Sequence, residues 1–308
     1  MENIEKVLSV KNENSNLTPI DHPLLVKHDI QLSIKRDDLL HPIISGNKWR
    51  KLKYILQDAI SSGHNHLISM GGAYSNHLHA LAYIGYKLNI KTTGLIRGEY
   101  DQNNPTLNDL RKWNMNCIFF DRKSYRELRK FRDPASAPAQ QYNGYWIPEG
   151  GANPLALKGI SELITGLNQD YDTITLASGT GTSLAGIAGA LPEGKNAIGF
   201  AALKGAGFLN KEVQEMINLN SEKNRNADKK ELKKNWSINL DYHFGGFGKT
   251  DQNLIKFIKE FTSHTQLQIE PVYTGKMFYG LFDQIQRGEF KRGSKVIAIH
   301  TGGLQGER

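Results

Sequence analysis

The feature that most restricts this chain is an alternation. Apolar runs short enough for buried strands recur between stretches whose apolar residues fall three and four apart. Trp49, Leu52, Leu56 and Ala59/Ile60 keep helical spacing, and Gly63 supplies a stop. His66 to Met70 then reads as a strand, Leu78 to Gly85 as a helical face and Ile90 to Ile96 as the next strand. A short helix follows Pro105, and Cys117 to Phe120 is a further strand. The second half repeats the theme. Lys158 to Leu167 reads as a helix, Thr173 to Ala177 as a strand, and a small-residue helix runs through Leu191. Ala197 to Leu203, Ile238 to Leu240 and Lys295 to His300 complete the strand set. Strands that are apolar almost throughout, alternating with helices, predict an α/β fold of mainly parallel sheet covered on both faces. Phe131 to Asn143 and Ser221 to Asn235 are polar and poor in apolar periodicity, and predict flexible segments.

Open parallel sheets bind ligands beyond the carboxyl ends of their strands. Three of those ends are rich in glycine and polar residues: Gly71 to His77, Ser178 to Ser183, and Thr301-Gly302-Gly303. A shared crevice is the expectation. The loop Gly179-Thr180-Gly181-Thr182-Ser183 has the composition of a phosphate cradle, where backbone amides approach an anion and a helix N-terminus follows. It lacks the dinucleotide fingerprint, since Gly186 comes too late. It is not a Walker loop either, because Ile187 stands where the lysine belongs. On this segment alone, a phosphate cradle and a plain tight turn are equally open. Lys48 begins a helix just after Gly46, where the helix dipole disfavours an ammonium and favours a reactive amine. In isolation, a solvent-exposed lysine is the commoner reading, and Lys51 and Lys53 have ordinary surface explanations.

Composition narrows the class. A 39% hydrophobic and 23% charged chain of 308 residues is globular, and its single cysteine, Cys117, excludes an intrachain disulfide. Met1 to Lys6 lacks a signal peptide's apolar stretch, and no run reaches membrane-span length, so a cytoplasmic location is expected. The net charge of +8 is concentrated in two clusters, Arg122 to Arg132 and Lys223 to Lys234. Both read as solvated surface. No nucleic-acid motif accompanies them, so a nucleic-acid partner ranks last.

Ser45 to Leu52, Gly71 to His77, Pro148-Glu149-Gly150-Gly151, the loop 178–186 and Pro271 to Lys276 occur in one order. Together they resemble the 1-aminocyclopropane-1-carboxylate (ACC) deaminase/D-cysteine desulfhydrase family, from about Thr18 to the C-terminus. The resemblance implies the tryptophan synthase β-like fold, pyridoxal 5'-phosphate (PLP) as cofactor, a small amino-acid substrate and a homodimer. It implies two α/β domains, each with a mainly parallel sheet covered by helices. The smaller spans residues 51–153, and the larger, PLP-binding one spans 1–50 plus 154–308.

Residue by residue, Lys48 matches the Schiff-base lysine that also moves the α-proton. Asn76 matches the partner of the cofactor's phenolic oxygen, and Ser75 matches a serine over the ring. Gly179, Thr180, Gly181, Thr182 and Ser183 match the phosphate cradle. Tyr273 matches an active-site tyrosine, and Thr274 stands where the pyridine nitrogen's partner is expected. Ser75 and Asn76 have a competing role as helix caps. His77 and His79 are thin grounds for a metal, and a cofactor-facing or core role is expected instead.

Two departures bear on the substrate. ACC deaminases usually carry a glutamate where this chain has Thr274, and a carboxylate strengthens the electron sink more than a hydroxyl does. β-Elimination from a D-cysteine-like substrate is therefore expected ahead of ACC ring opening. Phe247 replaces a usual tyrosine, which raises a non-catalytic PLP-binding carrier or sensor as an alternative. Tyr242 or His243 could supply the lost group only if the fold turns them inward.

Overall fold

The apolar runs assemble into two separate sheets in the computed structural model, which describes residues 2–223 and 235–307. The strands are β1 (Leu17–Ile20), β2 (Gln31–Lys35), β3 (His66–Gly72), β4 (Lys91–Arg97) and β5 (Asn116–Phe120), followed by β6 (Tyr145–Ile147), β7 (Thr173–Ser178), β8 (Asn196–Ala201), β9 (Trp236–Asn239) and β10 (Lys295–Ile299). Six form one sheet in the order β1-β2-β10-β7-β8-β9, and four form the other in the order β5-β4-β3-β6. Every described pairing is parallel except β1 with β2.

Both faces of each sheet are covered, which is why the strands read as continuous apolar runs. Along β3, Leu67 packs into one core cluster while Ile68 and Met70 enter another. Along β10, Ile297 and Ile299 face one way, and Val296 and Ala298 the other. Successive strand side chains alternate between faces, so each strand feeds two cores.

The helix Asn47–Ser61 joins the two halves. The expected domain boundary at 50/51 falls inside it, so Lys48 and Lys51 ride on one rigid element. Its flank meets the helix Pro154–Thr165 at Gly159, where an added Cβ would lie 1.9 Å from the Arg50 carbonyl oxygen. Its first turn is anchored by Asp37, which is fully buried. Arg50 Nε donates to Asp37 Oδ2 at 2.5 Å and Nη2 to Oδ1 at 2.8 Å, while Ser15 Oγ donates to Oδ1 at 2.5 Å.

The alternation did not announce β1, β2 or β6. The first is a short antiparallel edge strand with a proline, the second half polar, and the third only three residues long. The segment 131–143 is not featureless: it holds the helix Ala137–Tyr142, and the Trp146 indole N–H donates to the Phe131 carbonyl at 3.0 Å. Residues 224–234, with most of the second basic cluster and of the second expected flexible segment, lie outside the described residues.

Replacing Asp37 by alanine strands a largely buried guanidinium. The expected loss is about 3–5 kcal/mol of stability, read as a lower denaturant midpoint. A loss under about 1 kcal/mol would contradict the anchoring role.

Candidate active site

The three glycine-bearing strand ends open onto one cleft of about 730 Å³ between the two sheets. The β3 end contributes Gly71 to His77, the β7 end Ala177 to Gly181 with Ser183, and the β10 end Thr301 and Gly302. Lys48, Lys51, Gly150, Phe247 and Tyr273 complete the inner wall. The close approach of these segments depends on glycine. Gly46 (φ +63°) has no room for a Cβ, which would lie 1.8 Å from the Thr301 carbonyl oxygen. This contact fixes the start of the lysine helix against the end of β10. A Cβ on Gly179 would stand 3.2 Å from the Tyr273 ring, so glycine there lets the tyrosine lie against the loop.

Lys48 Nζ donates to Asn47 Oδ1 at 2.5 Å, and Asn47 Nδ2 donates to Ser183 Oγ at 2.8 Å, tying the lysine helix to the β7 loop. Burial lowers the Lys48 pKa to about 8, opposed by the attraction of Glu270. At pH 7 roughly a tenth of such amines are neutral, against about one in a few thousand for an ordinary lysine.

Lys51 corrects the sequence reading. It is buried, lines the cleft and donates to the Gly150 carbonyl at 3.2 Å, with no carboxylate in ion-pair reach among the described residues. Burial first, and Lys48 second, push its pKa well down. The signal was present: extending the buried stripe Leu52, Ile55, Leu56, Ala59 back by one helical step lands on Lys48 and Lys51. Lys53 instead makes a salt bridge with Glu162.

Ser75 does cap the helix Asn76–Leu88, accepting from the Leu78 N–H at 3.2 Å, and its own hydroxyl proton remains available to the cleft. Asn76 Oδ1 accepts from Gln305 at 2.5 Å. His77 is buried with Nε2 2.8 Å from Ser69 Oγ, and burial holds its pKa at about 3, so it stays neutral. His79 pairs with Asp109 at 3.0 Å, and no three-residue metal cluster occurs among the described residues.

Two expected contacts are not made from the cleft wall. Thr182 is buried beneath the loop, its hydroxyl 3.0 Å from that of Thr180. Thr274 is fully buried and committed elsewhere. Its Oγ1 accepts from the Glu270 N–H and donates to Glu270 Oε1, both at 3.1 Å, a reciprocal cap that removes the hydroxyl from the cleft. Glu270, which sequence reasoning missed, also accepts backbone N–H groups of Val272, Tyr273 and Thr274. Thr301 is the hydroxyl at the cleft that Thr274 is not, and among the described residues nothing engages it.

Phe247 lines the cleft, edge-on to Tyr273 with centroids 5.7 Å apart. Tyr242 and His243 do not replace its missing hydroxyl. Tyr242 OH donates to Asp283 at 2.6 Å, and His243 Nδ1 accepts from Gly245 N–H. The first basic cluster is exposed, as expected, and Arg122, Arg129 and Arg132 from it also border the cleft mouth.

An α/β cleft with a depressed-pKa lysine, a second buried cation and a glycine-hydroxyl loop defines an enzyme site for a phosphorylated ligand that reacts with amines. Sequence comparison agrees: residues 16–302 match the family described as "Pyridoxal-phosphate dependent enzyme". The chain belongs to that family, is a PLP-dependent enzyme and has the tryptophan synthase β-like fold. It is 31% identical over 300 residues to a Pyrococcus horikoshii protein named putative 1-aminocyclopropane-1-carboxylate deaminase, covering 94% of this chain and 90% of the relative. A D-cysteine desulfhydrase of Klebsiella pneumoniae is 28% identical over 93% of this chain and 91% of its own length. The solved structure described as the ACC deaminase homologue superposes with TM-score 0.81 at 28% identity, covering 98% of this chain and 95% of that one. No helix of the described residues is long and apolar enough to cross a membrane.

The site fits the cofactor physically, because a buried lysine with no carboxylate partner among the described residues would keep its proton once an anion such as a phosphate bound at the β7 loop. Lys51→Met should therefore stabilise the cofactor-free protein while weakening PLP binding at least about tenfold. Thermal unfolding with and without PLP reads both, and unchanged affinity would contradict the pairing. The pH dependence follows from Lys48. The unfolded chain keeps the proton up to about pH 10.5 and the folded one releases it near 8. Cofactor-free stability thus rises with pH between those values. The rate of PLP capture should level off above about pH 8, and a rate still climbing at pH 10 would contradict the depressed pKa.

Proposed function

We propose that this enzyme deaminates a small amino acid by β-elimination, with a D-cysteine-like substrate giving pyruvate, sulfide and ammonia. The net reaction consumes one water per cysteine. Bound in the cleft, PLP supplies the electron sink for the α-carbon. The chain's residues do the rest. Lys48 gives the amine that holds the cofactor's aldehyde carbon and afterwards moves the α-proton. Gly179, Thr180, Gly181 and Ser183 donate to the phosphate, and Lys51 supplies its counter-charge. Thr182 supports the loop from below. Asn76 meets the phenolic oxygen, and Tyr273 packs beside the ring. Ser75, with the start of the helix Asn76–Leu88, would receive the substrate α-carboxylate, its hydroxyl donating a hydrogen bond.

One observation carries the choice of substrate: among the described residues, no unpaired carboxylate lines the cleft. Glu149 accepts from Tyr125 and pairs with Arg129, Glu212 lies 3.8 Å from Arg132, and Glu270 is consumed in capping. We assign the ring nitrogen to the neutral Thr301 in place of Thr274. A neutral partner leaves a weaker sink, which suits a substrate with a good leaving group better than a cyclopropane. ACC to 2-oxobutyrate is the second reading, favoured by the P. horikoshii relative's name. The carrier reading rests on Phe247 alone. A cytoplasmic homodimer of two domains, the four-stranded sheet in one and the six-stranded sheet in the other, accompanies the proposal.

The test is coupled pyruvate, sulfide and 2-oxobutyrate detection on D- and L-cysteine, serine, β-chloroalanine and ACC. D-Cysteine should give sulfide and pyruvate in equal amounts, and Lys48→Ala should lose on the order of 10³-fold in rate. Product from ACC alone would reverse the choice, and tight PLP binding with no product from any would favour the carrier.

A further inference from the structure

Beyond the inner wall, the cleft changes character. Seven cations line it against two carboxylates, and four of the seven are arginines near its mouth. Arg129 and Arg132 are about half exposed, and both already face the carboxylates, Glu149 at 2.7 Å and Glu212 at 3.8 Å. Arg97 and Arg122 have no carboxylate partner among the described residues. Arg97 ends β4, and its Nη2 stands 4.0 Å from where a Cβ on Gly72 would lie, beside the loop that leads into Ser75. Arg97 is exposed, but its guanidinium sits beside an aromatic ring. It lies 5.9 Å from the ring centroid of Tyr125, as does that of Arg129, and Tyr125 is itself buried and bonded through its hydroxyl to Glu149 Oε1 at 2.8 Å.

We propose that this mouth is a subsite for a second anionic group, a carboxylate or phosphate carried on the β-substituent of the amino-acid substrate. Arg97 and Arg122 are its ligands, and Tyr125 with Glu149 is the frame that positions Arg97 and Arg129. The inference rests on the amino-acid reading above and narrows its substrate class. The cofactor's phosphate does not need these groups, because its loop and Lys51 lie on other elements and deeper. A zwitterionic amino acid carries no net charge for such a field to attract, so long-range attraction by the arginines favours a substrate of net negative charge. Guanidinium forks match the oxygens of carboxylates and phosphates in pairs, which an array of lysines would not. Exposed Lys204, from the six-stranded half, adds a cation at the cleft.

The experiment titrates the PLP-loaded enzyme with O-phosphoserine and with β-chloroalanine, each as both enantiomers. Binding is followed by the cofactor's visible absorbance and turnover by pyruvate. For one enantiomer the phosphate ester should half-saturate at about a tenfold lower concentration, with the gap shrinking in high salt. Arg122→Ala, and Arg97→Ala separately, should each erase most of it, while Arg97→Lys keeps part. Equal half-saturation for both compounds, a gap intact in both alanine variants, or no spectral change with either compound would overturn the subsite. Failure of the elimination reading looks different: absorbance changes with the tenfold gap present but no pyruvate from either compound.

Discussion

Two lysines one helical turn apart, Lys51 buried and Lys48 partly so, neither bonded to a carboxylate among the described residues, set the terms for the rest of this structure. A buried unpaired cation is costly, and it either loses its proton or acquires an anion. Both lysines feel this pressure: the Lys48 pKa is lowered to about 8, which raises its nucleophilic fraction, and that of Lys51, bonded to the Gly150 carbonyl, is pushed well down. The bidentate Arg50–Asp37 pair and the Gly46–Thr301 backbone contact make that placement rigid. They add to the buried stripe Trp49, Leu52, Ile55, Leu56 and Ala59, which sets the rotation of the helix Asn47–Ser61.

The same constraint explains why the fold needs two sheets. Each parallel sheet gathers polar loops at one edge, but a single sheet could not enclose a ligand from both sides. The β3 end supplies one wall, and the β7 and β10 ends supply the other. Gly150 brings the smaller sheet's loop against Thr180, where an added Cβ would stand 2.8 Å from its methyl carbon. Burial between these loops is what lowers the pKa of Lys48.

Much of this was legible in the sequence, and the failures have physical causes. Periodicity located the long buried strands because both faces of each sheet are covered, and the glycine-bearing strand ends marked the cleft. Lys51 was misread because residue type outweighed position: a lysine looks like surface even when it continues a buried stripe. Thr274 was misassigned because a motif gives order along the chain and not direction. Its hydroxyl turns back to Glu270, and that reciprocal cap appears only once the helix Thr274–Gln286 is built. The arginines of residues 122–132 are exposed, as the sequence suggested, but three of them also border the cleft. Their place at the cleft depends on contacts between segments far apart in sequence.

On the proposed reading, the amine at position 48, and not its neighbour a turn away, bonds the cofactor. Borohydride reduction of the PLP-loaded enzyme, followed by proteolysis and mass mapping, tests it directly. A single reduced pyridoxyl adduct on Lys48, with Lys51 unmodified, is the result expected. An adduct on Lys51, or a yellow protein that yields no adduct on either lysine, would contradict it.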